Sequence, residues 1–171
     1  MRIRIAILTV SDRCSCGEAL DTSGPAVAAR AAEILGAELG LSDCVPDEKD
    51  QIADALRRWA GAESPPDLIL TTGGTGLAPR DVTPEATLAV LERRHSGLME
   101  LVRARCGAHN PRAYLSRGEA GTIGRTLVLN LPGSTRGAVE SLDALADVLP
   151  HALGVLTGAE PDHSRDAGDT P

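Results

Sequence analysis

Runs of consecutive apolar residues alternate along the chain with segments whose apolar positions recur at helical spacing. Residues 3–10 and 68–70 are nearly continuous apolar runs, a pattern typical of strands buried on both faces of a parallel sheet. Segments 26–39 and 48–62 place apolar residues three or four positions apart, which predicts amphipathic helices. Gly40 is interpreted as the end of the first of these helices, and Asp47 as the N-cap of the second.

The second half of the chain continues the alternation, with one interruption. Further predicted elements are a short strand over 41–45, helices over 84–94 and 97–105, strands over 119–123 and 126–130, a helix capped by Ser134 or Thr135, and a last helix from Pro150 to Leu156. The turn residues Gly124 and Arg125 join the last two strands into a hairpin. The pattern therefore predicts an α/β fold: a three-layer α/β/α sandwich with a mainly parallel, Rossmann-like sheet and one antiparallel hairpin.

Length and composition fit one globular domain. The 171 residues are 42% hydrophobic and 24% charged, which suffices for a single substantial core. We assign this domain to residues 1–158. Residues 159–171 are polar, acidic and interrupted by Pro and Gly, so we expect them to form a disordered tail.

Charge and aromatic content exclude several classes of partner. The formal net charge is −7 and aromatic residues make up 1%, which argues against nucleic acids and anionic membranes. No apolar run is long enough to span a membrane, and we expect a cytoplasmic protein. The four cysteines have no metal-ligand spacing and are interpreted as reduced thiols. Cys14 and Cys16 lie in a motif loop, where both a structural and a reactive role stay open.

The most informative stretch runs from Asp67 to Glu85. After the apolar run, Gly73, Gly74 and Gly76 form a turn whose amides can converge on an anion. Arg80 and Asp81 follow. Thr83 is interpreted as an N-cap, with Pro84 at the first helical position, and helix N-termini favour negative charge. The pattern indicates a phosphate site, although a turn that merely joins a strand to a helix has the same glycines.

Two further loops follow predicted strands. Ser11, Asp12 and Arg13 come after the first strand, and 130–133 come after the last. Parallel sheets bind ligands at the carboxyl ends of their strands, so both loops are expected beside the glycine turn. The arginines in or beside these loops could form a cluster for an anionic substrate. They are Arg13, Arg80, Arg117 and Arg136. An ion pair with Asp81 or another local carboxylate is an equally good interpretation of Arg80.

Three strings together resemble one family. They are Thr71-Thr-Gly-Gly-Thr-Gly-Leu-Ala-Pro-Arg-Asp-Val-Thr-Pro-Glu-Ala86, Asn130-Leu-Pro-Gly-Ser-Thr-Arg-Gly137, and Ser11-Asp-Arg13 continuing to Asp21-Thr-Ser-Gly-Pro25. In this order they resemble the molybdopterin adenylyltransferases of molybdenum cofactor biosynthesis, a family that includes the G domain of gephyrin. The resemblance covers residues 2–158. It departs at Arg136, where several relatives carry Lys, in a chain whose only Lys is Lys49.

The resemblance implies a reaction and its participants. ATP and molybdopterin would give adenylylated molybdopterin and pyrophosphate, with Mg²⁺ required. The family is commonly trimeric, and its product passes to a molybdenum insertase. A catalytically inactive paralogue that binds pterin or nucleotide as a carrier or scaffold is the alternative.

The resemblance also assigns roles to residues of this chain. Asp81 and Asp47 are the implied catalytic carboxylates and the implied Mg²⁺ ligands. The implied nucleotide-binding residues are Thr72, Gly73, Gly74, Thr75, Gly76 and Arg80. The implied pterin- and phosphate-binding residues are Ser11, Asp12, Asp21, Ser116, Asn130, Pro132, Gly133 and Ser134.

Overall fold

A six-stranded sheet organises the protein. The computed structural model describes residues 2–159, which include the following elements. The strands are β1 (Arg4–Val10), β2 (Glu38–Val45), β3 (Leu68–Thr72), β4 (Arg93–Arg94), β5 (Ala120–Ile123) and β6 (Thr126–Leu131). The helices are α1 (Asp12–Ser15), α2 (Ser23–Leu35), α3 (Lys49–Ala60), α4 (Thr83–Leu88), α5 (Ser96–Gly107), α6 (Thr135–Asp143) and α7 (Leu149–Thr157), with a 3-10 helix over Pro111–Leu115.

The strand order is β2-β1-β3-β6-β5-β4. The first four strands in this order are parallel, whereas β5 pairs antiparallel with both β6 and β4. The predicted α/β sandwich and its hairpin are therefore confirmed. The chain leaves β1 towards β2 and then returns to the other side of β1 as β3. This reversal creates a crevice at the carboxyl ends of β1 and β3, where doubly wound sheets place their ligands.

Alternation along the central strands separates two cores. In β1, Ile5 and Ile7 face a core completed by α2, α5, α6 and α7, while Ala6 and Leu8 face a second core completed by α3 and α4. All four side chains are at most 1% exposed. Burial on both faces explains the continuous apolar runs of the central strands. It also holds their carboxyl ends at one edge of the sheet.

Two predicted helices extend too far at their C-terminal ends. The helix over 26–39 begins at Ser23 and ends at Leu35, because Gly36 adopts a left-handed φ of 60°. Residues 38–45 then form β2, so Gly40 lies inside a strand at an irregularity in its pairing with β1, and is not a helix stop.

The helix predicted over 84–94 is also wrong at its C-terminal half. It ends at Leu88, and the amides of Glu92 and His95 donate to the carbonyls of Thr122 and Ala120 across the new edge strand β4. This pairing with a strand about 30 residues away has no signal in local periodicity.

Several other predictions concern the surface and the ends of the chain. All four cysteines are free, as predicted. Among the described residues, no helix has both the length and the apolar content to cross a bilayer. The tail prediction falls on residues 160–171, which lie outside the described part of the chain, and on Ala159, whose amide donates to the Gly154 carbonyl at 2.9 Å.

Candidate active site

Three loops meet where β1, β3 and β6 end. The first loop connects β1 to α2 and contains α1. The glycine loop, residues 73–77, follows β3, and the loop 132–134 follows β6. The loops after β3 and β6 are in direct contact. The Gly73 amide donates to the Leu131 carbonyl at 3.1 Å, and a Cβ on Gly133 would lie 3.2 Å from the Gly73 Cα. Glycine at position 133 therefore allows this close backbone contact.

Arg117 fixes the glycine loop from one side. Its backbone amide donates to the Thr75 carbonyl at 2.8 Å, and its guanidinium donates to the carbonyls of Gly76 at 2.7 Å and Asp81 at 2.6 Å. The same guanidinium pairs with Glu85, which lowers the pKa of that carboxyl. Arg117 was predicted to belong to an anion-binding cluster, but in the structure it holds the glycine loop.

Thr83 fixes the loop from the other side. Its hydroxyl donates to the Gly73 carbonyl at 2.9 Å and its amide donates to the Gly74 carbonyl at 3.0 Å. The prediction that Thr83 is an N-cap is wrong, because Val82 holds that position and Thr83 is the first helical residue. The hydroxyl serves the loop and not the helix end.

These contacts use the carbonyl groups of the loop and leave its amides available. Within residues 2–159, the amides of Gly74, Thr75 and Gly76 donate to no other group. Gly73 and Gly74 have φ values of 101° and 62°, and such a turn can direct successive amides to one side. The loop therefore has the properties of an anion cradle.

Two cavities lie on either side of these loops. The β1 cavity, of about 340 Å³, is bordered by residues after β1, including Ser11, Arg13 and Asp21. The β6 cavity, of about 500 Å³, extends between α5, the 3-10 helix and the start of α6. The residues that line both cavities are Gly74, Asp81 and Gly133. A ligand in one cavity would thus lie next to a ligand in the other, with the Asp81 carboxylate at their common wall.

The structure divides the predicted site residues between the two cavities. Five of them line the β1 cavity and not the β6 cavity: Ser11, Asp21, Asp47, Thr72 and Gly73. Another five line the β6 cavity and not the β1 cavity: Thr75, Gly76, Ser116, Pro132 and Ser134. The implied pterin residues therefore do not share one cavity, and the implied nucleotide loop forms a partition between two. Asp12, Arg80 and Asn130 line neither cavity.

Asn130 lies beneath the loop that follows it. Its side chain is fully buried, donates to the hydroxyls of Thr71 and Thr87 at 3.0 and 2.9 Å, and accepts from the Glu119 amide at 3.1 Å. These bonds occupy the donors and an acceptor of the amide group. Asn130 thus joins β6 to β3 and α4 and positions the loop, where sequence analysis expected a phosphate contact.

Asp21 is also engaged within the protein. One carboxylate oxygen accepts from the Thr9 hydroxyl at 2.6 Å, and the other accepts from the Gly24 amide at 3.0 Å. A Cβ on Gly24 would approach the Asp21 carboxylate to 2.5 Å and would displace it from this position. Asp21 therefore holds the start of α2 against β1 while it borders the β1 cavity.

Asp47 and Asp12 join the loops after β2 and β1. The Asp12 amide donates to the Asp47 carboxylate at 2.9 Å, and the Asp47 amide donates to the Asp12 carboxylate at 3.0 Å. Arg80 pairs with Asp12 through two bonds of 2.8 and 3.1 Å and with Glu48 at 2.8 Å. The ion-pair interpretation of Arg80 is thus the one observed. The N-cap prediction for Asp47 is wrong, since Glu48 precedes α3 and Asp47 accepts from Asp12.

The electrostatic environments of these two acids are opposite. Burial raises the pKa of Asp47 above its usual value, the charges of Asp12 and Asp81 add to this, and the hydrogen bond from the Asp12 amide opposes it. The hydrogen bond from Arg80 lowers the pKa of Asp12. Asp47 is therefore a half-buried carboxylate whose negative charge lacks a full local counterion.

Asp47 and Asp81 fit the ligand requirements of Mg²⁺. Each carboxylate accepts one backbone amide through one oxygen, from Asp12 at 2.9 Å and from Ala78 at 2.8 Å, and has its second oxygen available. Among residues 2–159 no cluster of three or more acidic, His or Cys side chains could hold a metal by itself. Mg²⁺ commonly takes one or two carboxylates and completes its shell with phosphate oxygens and water. The two acids and a bound phosphate would supply such a set.

The predicted arginine cluster is mostly neutralised. Arg80, Arg117 and Arg136 are each paired with a carboxylate, the last with Glu140 at 2.6 Å. In the described part of the chain the guanidinium groups of Arg13 and Arg112 have no ion-pair or hydrogen-bond partner. Arg13 lines the β1 cavity and Arg112 the β6 cavity. Arg112 was not among the residues predicted from the sequence. Its only signal was a cation close before Ser116 and Arg117.

The raised pKa of Asp47 leads to a prediction about stability. Because the folded protein holds the Asp47 proton more tightly than the unfolded chain, this carboxyl weakens the fold increasingly as pH rises above its ordinary value of 3.8. Asn at this position keeps an acceptor for the Asp12 amide and removes the charge. We therefore expect Asp47→Asn to have a higher Tm than the wild type at about pH 7, with a gap that narrows towards about pH 4.

Thermal unfolding at the two pH values tests this expectation. Asp54→Asn is the matched control, because Asp54 lies on the exposed face of α3 and, within residues 2–159, pairs with Arg57 alone, at 3.1 Å. This control should not gain stability at neutral pH. A lower Tm for Asp47→Asn near neutrality would show that the Asp12 amide needs a charged acceptor, and it would contradict the prediction.

Comparisons with known proteins agree with the three sequence motifs. Residues 6–151 match the family described as a probable molybdopterin binding domain. The molybdenum cofactor synthesis protein cinnamon of Drosophila melanogaster is 42% identical over 90% of this chain, and the chain spans 26% of the length of that relative. The molybdopterin adenylyltransferase of Helicobacter pylori strain J99 is 38% identical, covering 91% of this chain and 89% of its own.

A solved structure shows the same fold. The crystal structure of the molybdopterin biosynthesis enzyme MoaB from Thermus thermophilus is 52% identical, with a TM-score of 0.83 over 93% of this chain and 98% of that chain. The resemblance found in the sequence is thereby confirmed over most of the described residues. Fold, motifs and sequence identity agree: the chain belongs to the molybdopterin-binding domain family, which includes molybdopterin adenylyltransferases.

Proposed function

We propose that the protein is a molybdopterin adenylyltransferase of molybdenum cofactor biosynthesis. It transfers AMP from ATP to the terminal phosphate of molybdopterin and releases pyrophosphate. The observation that carries this proposal is the pair of cavities that share Asp81, Gly74 and Gly133 as a common wall. A transfer between two phosphate-bearing substrates requires two such adjoining sites. The relative from Helicobacter pylori bears the name of this activity.

The chemistry needs positioning and charge stabilisation more than covalent catalysis. An oxygen of the pterin phosphate attacks the α-phosphorus of ATP. The bond between this phosphorus and the oxygen that bridges the α- and β-phosphates breaks, and pyrophosphate leaves with the electron pair. Both reactants are anions that repel each other. The free amides of Gly74, Thr75 and Gly76 can hold phosphoryl oxygens in place, and Arg117 and Thr83 keep these amides in a fixed arrangement.

Asp47 and Asp81 are proposed to hold Mg²⁺ together with phosphate oxygens. When bound there, the ion supplies positive charge that offsets the repulsion between the two phosphates. A cation at this position would account for Asp47, a half-buried carboxylate with a raised pKa, next to the like charge of Asp81. Burial makes ionisation of Asp47 less favourable in the protein alone than in water, and a bound cation would offset this effect.

Mass spectrometry of the pterin product tests the function. Purified protein is incubated with molybdopterin and Mg²⁺-ATP, and a parallel reaction contains a chelator. We expect adenylylated molybdopterin and an equal amount of pyrophosphate in the first reaction and neither in the second. Binding of both substrates without an adduct would instead establish the alternative, a family member that carries pterin or nucleotide without catalysis.

The resemblance also motivates proposals about the protein's context. We infer a cytoplasmic homotrimer whose product is taken up by a molybdenum insertase. Light scattering of the purified full chain measures the assembly state directly. A monomeric mass would contradict the trimer and leave the transferase proposal intact.

A further inference from the structure

The β6 cavity contains one basic side chain that no protein carboxylate neutralises. Arg112 belongs to the 3-10 helix Pro111–Leu115, and its amide is held by the Asn110 side chain at 3.2 Å. Arg112 is exposed and lines the cavity, and within the described residues its guanidinium donates to no acceptor. The backbone of this arginine is therefore anchored while its charge is available.

The surroundings of Arg112 suit an anion with an apolar body. Thr75 and Gly76, whose amides are free, line the same cavity, and so does Ser134, which precedes α6. Val102 and Leu115 add apolar side chains to the lining of this cavity.

Two carboxylates border the same space. One is Glu140, which is already paired with Arg136 at 2.6 Å. The other is Asp81, one of the two proposed metal ligands. Neither makes an ion pair with Arg112, so the guanidinium remains the uncompensated positive charge of this cavity among the described residues.

We propose that Arg112 binds a phosphate group of the substrate that occupies the β6 cavity and thereby orients that substrate towards Asp81. The inference rests on the proposed function, because it takes the occupant to be one of the two reactants. Both reactants offer the same chemistry, phosphoryl oxygens that a planar guanidinium can bind through two parallel hydrogen bonds. The occupant is either the nucleoside triphosphate or the pterin phosphate, and binding measurements separate the two.

Calorimetry without turnover provides the test. The probes are Mg²⁺ with α,β-methylene-ATP, which cannot be cleaved at the reacting bond, and molybdopterin alone. We expect Arg112→Gln to bind one probe about tenfold to a hundredfold more weakly, the loss expected for a hydrogen-bonded charge, and to bind the other within about twofold of the wild type. Arg112→Lys keeps the charge without the fork and should recover part of the loss.

Arg93→Gln is the matched control for net charge. Arg93 is exposed, has no ion-pair partner in the described chain, and lies on β4 outside both site cavities. This variant should bind both probes as the wild type does. Equal losses in Arg93→Gln and Arg112→Gln would show a long-range charge effect and overturn the proposal, as would an Arg112→Gln protein that binds both probes normally.

Product formation by the wild type distinguishes failure of this inference from failure of the function. Adduct formation with unchanged binding by Arg112→Gln would leave the transferase intact and remove Arg112 from the site. Selective weakening without any wild-type adduct would support the Arg112 contact in a carrier protein. A wild-type protein that binds neither probe would overturn both.

Discussion

Asp81→Asn is expected to lower kcat for AMP transfer by about 10²- to 10³-fold, the loss typical when one charge-stabilising group is removed at a phosphoryl or acyl centre. Among the described residues, Asp81 is the one residue with an ionisable side chain that borders both cavities. Its second carboxylate oxygen is available for Mg²⁺, and neutralising the group should raise the Mg²⁺ concentration needed for half-maximal rate. Product mass spectrometry over a Mg²⁺ titration measures both effects.

The fold of this variant should be preserved. The side-chain oxygen of the introduced asparagine can still accept from the Ala78 amide, the bond of 2.8 Å that shapes the turn, so the unfolding free energy should change by less than about 1 kcal/mol. Asp147→Asn is a suitable control, since it removes the same charge from an exposed pair with Arg105. Retention of the wild-type rate by Asp81→Asn, with the usual Mg²⁺ requirement, would place the metal elsewhere.

The central part of the fold was predictable because its elements are determined locally. The continuous apolar runs that became β1 and β3 are buried on both faces, and the hairpin turn at Gly124 has a left-handed φ of 56°. The two wrong helix ends have a different origin. β2 and β4 are edge strands whose residues are largely exposed, so their pairing with β1 and β5 leaves almost no hydrophobic pattern.

The site was predictable as a set of residues but not as an arrangement. The motif strings pointed to Asp81 and the glycine loop, and the family resemblance to Asp47, since each follows a strand. They could not show that the loops after β3 and β6 divide the space into two cavities, because this depends on a contact between Gly73 and Gly133. The bonds of Arg117 also join parts of the chain that are far apart in sequence. Arg117 was therefore predicted to bind an anionic substrate, whereas it donates to the backbone carbonyls of Gly76 and Asp81.

Gly73 is tightly constrained by its backbone conformation and by its approach to β1, and Gly73→Ala should destabilise the protein by about 2 to 6 kcal/mol. The residue has a φ of 101°, where an L-residue is strained, which costs on the order of 1–3 kcal/mol. Its Cβ would also collide with the Val10 carbonyl oxygen at the end of β1. Relief requires movement of buried backbone, an overpacking cost of about 1–3 kcal/mol.

Gly36→Ala separates these two costs. Gly36 also has a left-handed φ, of 60°, but a Cβ there would meet nothing within 4 Å. Equilibrium unfolding in denaturant should therefore show a loss of only about 1–2 kcal/mol for this control. Similar losses in the two variants would mean that the loop absorbs the collision, and that Gly73 is not held against β1 as tightly as the structure shows.

Activity per folded molecule should distinguish the two glycine variants more sharply than stability does. Moving Gly73 away from Val10 displaces its carbonyl from Thr83 and its amide from Leu131, the bonds of 2.9 and 3.1 Å that direct the free amides of the loop. We expect the folded fraction of Gly73→Ala to transfer AMP at least about tenfold more slowly, since misplaced dipoles lose transition-state stabilisation. Gly36 lies at the far end of α2, so folded Gly36→Ala should retain the wild-type rate, and an equal loss there would show that helix α2, rather than the glycine loop, limits catalysis.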